Sequence, residues 1–174
     1  VQGVDAAAAD LGLTDVSLNY VYGGQFFGDA DITAVMDTWY AGGTEVVFAC
    51  GGGIYTSAVD AAKKANAKVI GVDVDQSGES PTVITSAMKG LADSAQWALG
   101  KFYAGEFASI GGVQTSLGAN ENAVGLPTAT WSLTKWSVDS YKVMLQDIKD
   151  GKIAIDNNYD NLASTENVTL NIVG

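Results

Sequence analysis

Val69-Ile-Gly-Val-Asp-Val-Asp-Gln76 and, after a short polar connection, Thr85-Ser-Ala-Met-Lys89 decide how this chain is read. An apolar run passes straight into an acidic loop. A second, half-apolar run ends on a lysine. Both have the length and β-branched content of strands. In an open α/β sheet the carboxyl ends of parallel strands share one edge, and ligands bind there. A carboxylate leaving one strand beside an ammonium leaving its neighbour makes a polar grip for a small molecule. No catalytic set accompanies the pair, which points to capture of a polar molecule rather than its conversion.

Segments of two periodicities alternate on either side. Gly3 to Leu11 reads as the end of a helix and Val16 to Val21 as a strand. Ile32 to Tyr40 places Ile32, Val35, Met36 and Trp39 at helical spacing. Glu45 to Cys50 is a short buried strand, with Cys50 as a small core residue. Ile54 to Asn66 is a helix turning Val59, Ala62 and Ala65 to the sheet, and Lys68 to Val72 and Thr82 to Met88 are strands. Leu91 to Phe107 is a long helix with Leu91, Ala95, Ala98, Leu99 and Phe102 inward. This alternation predicts a three-layer, doubly wound α/β fold with a mainly parallel sheet. It assigns 1–107 to a parallel ligand-binding lobe. The remainder, 108–174, becomes a set of return segments, with extended pieces at Val113–Leu117 and Ala123–Leu126, a helix over Leu133–Lys149 and a final strand at Val168–Val173. A chain that opens inside a helix reads as a piece of something longer.

Composition narrows the function classes. The net charge is -11 at pH 7, and all nine basic residues are lysines. Without a basic footprint there is no means of displacing counterions from nucleic acid. Without arginine there is no bidentate fork for phosphate. Without histidine there is no Ser-His or Cys-His pair and no histidine-containing metal site. The reading therefore carries no cofactor, no metal and no catalytic residue. No apolar run approaches the ~20 residues of a membrane span.

Four segments should meet at the carboxyl edge: Tyr22 to Asp29, Gly51 to Ile54, Asp73 to Gln76, and Met88 to Lys89. Phe26 and Phe27 offer flat apolar faces. Gly51-Gly-Gly53 opens the backbone to a ligand at a helix N-terminus. Asp73 and Asp75 are acceptors and Lys89 a donor. A carboxylate accepts from two vicinal hydroxyls while an ammonium donates to the same diol. An aromatic face stacks on a planar heterocycle. The set suits a nucleoside or a sugar and suits a nucleotide poorly. Duller roles stand beside these. Either aspartate can be a turn former, with Asp75 the better candidate. One phenylalanine can simply anchor its loop, and Lys89 can be a solvated surface lysine. Trp131 and Trp136 read as packing residues.

At these residues the sequence resembles the BMP family of PnrA-like substrate-binding lipoproteins of bacterial ABC importers, and more widely the type I periplasmic binding proteins. The matching pieces are Tyr20-Val-Tyr22 with Phe27-Gly-Asp29, Gly43-Thr-Glu-Val-Val-Phe48, Gly51-Gly-Gly53, Val69 to Gln76, Thr85 to Lys89 and Ala123-Val-Gly-Leu126. The resemblance implies two α/β lobes with a solute held between them, a membrane permease as partner, and an extracytoplasmic, lipid-anchored parent. It places Phe27 on a purine base, Asp73 and Lys89 on the ribose, and Gly51 and Gly52 along the pocket wall. Phe26 and Asp75 are further candidates. This chain would then be the second lobe plus return segments, exposing apolar surface and able to form a homodimer. A sugar-binding domain and a regulator's sensory domain of the same fold are the alternatives; a doubly wound enzyme fits less well.

Overall fold

The computed structural model describes residues 1–158 and 160–173; positions 159 and 174 of the expected return segment lie outside the described residues. Helix α1 (Gln2–Leu11) is followed by β1 (Val16–Val21), α2 (Ala30–Ala41), β2 (Val46–Phe48) and α3 (Tyr55–Ala65). Strands β3 (Lys68–Asp73) and β4 (Val83–Lys89) then lead to α4 (Leu91–Tyr103), one 3-10 turn at Phe107–Ser109, β5 (Val124–Gly125), α5 (Val138–Lys149) and β6 (Val168–Val173). Among the described residues no helix is long and apolar enough to cross a membrane.

The strands form two sheets where one was expected. One runs β2-β3-β4-β5, parallel except for the antiparallel β4–β5 pair; the other is the parallel pair β1-β6. After Phe48 the chain turns off in successive short bonds, Cys50 N to Phe48 O and Gly51 N to Ala49 O. A lone bridge between Phe27 and Gly53 links the loop after β1 to the loop after β2.

The core lies between α2, α3 and strands β2 to β4. Met36, Tyr40, Val47, Ala49, Ala58, Val59, Ala61, Ala62, Val69 and Val83 are its buried members. Alanines on α3 let the helix approach the sheet closely, where larger side chains would hold it off. Ala65 is exposed, because the buried stripe runs through positions 58, 59, 61 and 62 instead. Tyr40 reaches the sheet and donates its hydroxyl to Lys68 O at 2.8 Å.

Several expectations need correction. Cys50 is exposed, since the strand ends before it. Val113–Leu117 is not a strand: the edge of β4 is occupied by Val124–Gly125. Helix α4 ends at Tyr103, where Gly105 at φ +76 supplies the left-handed turn that stops a helix. None of its residues is buried, and Leu91, Leu99 and Phe102 are all exposed. Helix α5 begins at Val138 rather than Leu133. Trp131 Nε1 donates to the carbonyls of Leu133 and Trp136, holding that stretch as a loop, and Ser137 caps the helix by accepting from Ser140 N at 3.0 Å.

Candidate functional site

Strand β3 does not simply run out at Asp73. Val74 N donates to Val72 O at 2.8 Å, closing a three-residue turn with Asp73 at its centre and φ at +69. A non-glycine residue there is strained by roughly 1–3 kcal/mol, and such strain gathers at functional sites. The turn sets Asp73 Oδ1 2.6 Å from Lys89 Nζ, at the end of β4. That oxygen is buried and has no hydrogen-bond partner besides this ion pair. The hydrogen bond to Asp73 holds the Lys89 ammonium above the ordinary lysine range; partial burial works against it, and the charges of Asp73 and Cys50 reinforce it.

The pair sits in an open cleft of about 300 Å³, which Asp75, Asp93, Asn122 and Val124 also line. Gly90 also lines it: Gly90 N donates to Ala123 O at 2.8 Å, and any side chain at that position would strike Asn122 O. Asp75 has structural work within the loop. Its Oδ1 accepts from Ser77 N at 3.0 Å and its Oδ2 from Thr130 Oγ1 at 2.6 Å. The Thr130 hydrogen bond is the larger cause of its lowered pKa, with the Ser77 amide second. Ser132 Oγ donates to Ile84 O, near the amino end of β4, at 2.6 Å, so the 126–136 loop is held to β4 as well as to Asp75. Trp131, Trp136 and Tyr141 pack on one another behind it, with ring centroids 5.6 to 5.9 Å apart.

The aromatic and glycine loops form a second cluster. Gly53 N donates to Phe26 O at 2.8 Å. Gly52 has φ +38, a left-handed conformation that favours glycine. Both rings stand in solvent, Phe26 78% and Phe27 64% exposed. Asp29 anchors the loop by capping α2, accepting from Ile32 N at 2.8 Å and from Gln25 Nε2 at 2.6 Å. Asp73, Asp75 and Lys89 thus share one cleft. Phe26, Phe27, Gly51 and Gly52 stand together on the neighbouring loop pair and do not line it. The bridge between the clusters is Gln76, whose Nε2 lies 3.4 Å from Gly52 O. Gln76, Thr130, Asp93 and Asn122 were not singled out from the sequence. For Gln76 a signal existed: Gly71 and Ser86 are small residues in register on adjacent strands, and they leave room for a buried side chain. Among the described residues no group of three His, Cys, Asp or Glu side chains could hold a metal ion.

Alternating helices and mostly parallel strands give a mixed α/β fold consistent with a lobe of the periplasmic-binding-protein kind. The chain belongs to the Bmp family, described as ABC transporter substrate-binding protein PnrA-like, whose profile matches residues 9–164. Among curated proteins none matches it. Among solved structures it is similar to a transcriptional activator of the comK gene from Bacillus halodurans, at 17% identity and a TM-score of 0.54, over 72% of this chain. The chain spans 42% of that structure's length, and the likeness concerns the fold alone.

Proposed function

We propose that this chain is one lobe of the solute-binding component of a bacterial ABC importer, and that its solute is a purine nucleoside or a similar neutral polar molecule. The observation that carries the reading is the Asp73–Lys89 pair at the mouth of an open cleft. A ribose diol can replace the ion pair's mutual contact, donating to the carboxylate and accepting from the ammonium. The exposed rings beside it supply a stacking face, with Phe27 the residue assigned to the base. The family match supports the importer role, with a permease as partner and an extracytoplasmic, lipid-anchored parent. The uncovered apolar face of α4 supports a companion lobe that closes over the cleft, since solute held between two lobes shifts an open–closed equilibrium. The chain alone, with that face exposed, is expected to self-associate as a homodimer, which sedimentation would detect.

The test is calorimetric titration of the full-length parent with inosine, adenosine, free purine bases and ribose. Asp73→Ala should remove most nucleoside binding. Phe27→Ala should weaken nucleosides by the worth of a stacked base, about 1–3 kcal/mol, and leave ribose unaffected. Undiminished inosine binding in Asp73→Ala would refute the assignment. A response to ribose alone would move the solute to the sugars.

A further inference from the structure

Gln76 is 6% exposed, and both ends of its side-chain amide and its backbone N–H make contacts at the rim. Its Oε1 accepts from Val72 N at 3.0 Å, its backbone N donates to Ser86 Oγ at 3.0 Å, and its Nε2 faces Gly52 O at 3.4 Å. The orientation of the side-chain amide is fixed, because only its oxygen can accept from an N–H. Val72 precedes the strained residue. Its N–H is held by Gln76 and its carbonyl holds Val74 N, so both polar groups of Val72 serve the turn that aims Asp73. The third contact runs to the glycine loop, which is bonded in turn to the loop carrying the phenylalanines through Gly53 N and Phe26 O at 2.8 Å.

Building on the nucleoside-capture reading, we propose that Gln76 is the positioning residue of the site: its side-chain amide clamps the strained turn that presents Asp73 to Lys89, and it ties that turn to the Gly51–Gly53 loop, so that the diol grip and the stacking loop keep a fixed spacing. Strain of this kind persists only when the surroundings over-determine it. Here the surroundings are three contacts from one buried residue. Gly71 is part of the device. A β-carbon there would come within 2.5 Å of Gln76 Oε1 and 2.7 Å of Ser86 Oγ, so glycine at position 71 makes the space that the amide occupies.

The test needs no solute in its first arm. In the full chain, the Lys89 side chain is titrated by NMR, and exchange of the Val74 amide is followed alongside. Gln76→Met removes both side-chain contacts at similar volume. It should bring Lys89 back toward the ordinary lysine range and speed Val74 exchange. Gln76→Glu keeps an acceptor for Val72 N, and should preserve the Lys89 titration while losing the tie to Gly52. In the second arm, inosine affinity should fall on the order of tenfold in Gln76→Met, as expected when a reacting group is misplaced by a fraction of an ångström, and by less in Gln76→Glu. If Gln76→Met does not fold, Gly71→Ala displaces the amide without touching turn or cleft, and should give the same two signatures. A variant that lowers the melting temperature but leaves the Lys89 titration and Val74 exchange at wild-type values would overturn the proposal and make Gln76 a packing residue. Failure of inosine to bind the wild type would count against the capture reading instead, and would leave the first arm to decide the clamp.

Discussion

Helices α3 and α4 are of similar length and both carry apolar residues at helical spacing, yet they lie in different physical settings. Helix α3 buries Ser57, Ala58, Val59, Ala61 and Ala62 against the sheet and α2, and Ala62 is wholly inaccessible. Helix α4 buries nothing. Its Phe102 ring packs edge-on against Tyr103 and Phe107, with centroids 5.4 and 5.9 Å away, and this small aromatic cluster remains exposed. The stripe with small side chains is the covered one, and the stripe with large side chains is not. Size favours burial only where a second surface exists to receive it; fully covering one Leu or Phe is worth about 1.5–3 kcal/mol, which α4 does not gain within this chain.

Matched substitutions test that contrast. Ala62→Asp places an unpaired charge in the core and should cost more than about 4 kcal/mol, enough to abolish cooperative unfolding by circular dichroism. Leu99→Asp on α4 should change stability by no more than about 0.5 kcal/mol. Measured at a dilution where the chain is monomeric, equal losses from the two would show that α4 has a partner within the chain after all.

A smaller effect is expected at Tyr40, where α2 meets the sheet. Burial pushes its pKa up to about 12, with a backbone hydrogen bond from Val47 partly opposing. The sign follows from proton counting. Above pH about 10 the unfolded tyrosine ionises while folded Tyr40 stays neutral, so the unfolded state holds fewer protons and stability falls as pH rises toward 12. Tyr40→Phe should cost about 1 kcal/mol near neutrality through the lost bond to Lys68 O. It should also flatten the decline in urea midpoint from pH 9 to 10.5.

The smallest effect belongs to the periphery, where Asp5 of α1 accepts from Glu166 N at 3.0 Å and Asn167 N at 2.7 Å. The Asn167 backbone bond is the main reason its pKa is lowered. A depressed carboxylate stabilises above its unfolded pKa, and that contribution is lost as pH falls through the folded value. The Glu166 and Asn167 amides should therefore exchange faster in acid, below the ordinary aspartate range, while exchange in the α3 core remains slow. Asp5→Asn should remove this acid sensitivity.

How far the residues alone could be read differs between these regions for the same reason. Strands β1, β3, β4 and β6 and helices α2 and α3 were legible because periodicity and β-branching are local properties. Residues 69–76 and 85–89 announced an acid and a lysine at neighbouring strand ends, and the ion pair follows from the parallel register. Cys50 was misread because strand β2 ends two residues before it, in turns that composition does not encode. The inward face assigned to α4 failed because amphipathicity specifies a face and not what covers it.

The order of segments, the α/β class and the chemical character of the rim were thus set by the sequence, since each rests on contacts between residues close along the chain or on strand polarity. Only the tertiary structure decided that Asp73 occupies a left-handed turn, that Asp75 is committed to Thr130 and Ser77, and that Gln76 joins two loops. The Gln76–Ser86, Gln76–Gly52 and Asp75–Thr130 contacts among these join groups 10 to 55 residues apart at hydrogen-bonding distance. Such meetings are fixed by packing, where a single methylene matters, and no local pattern records them.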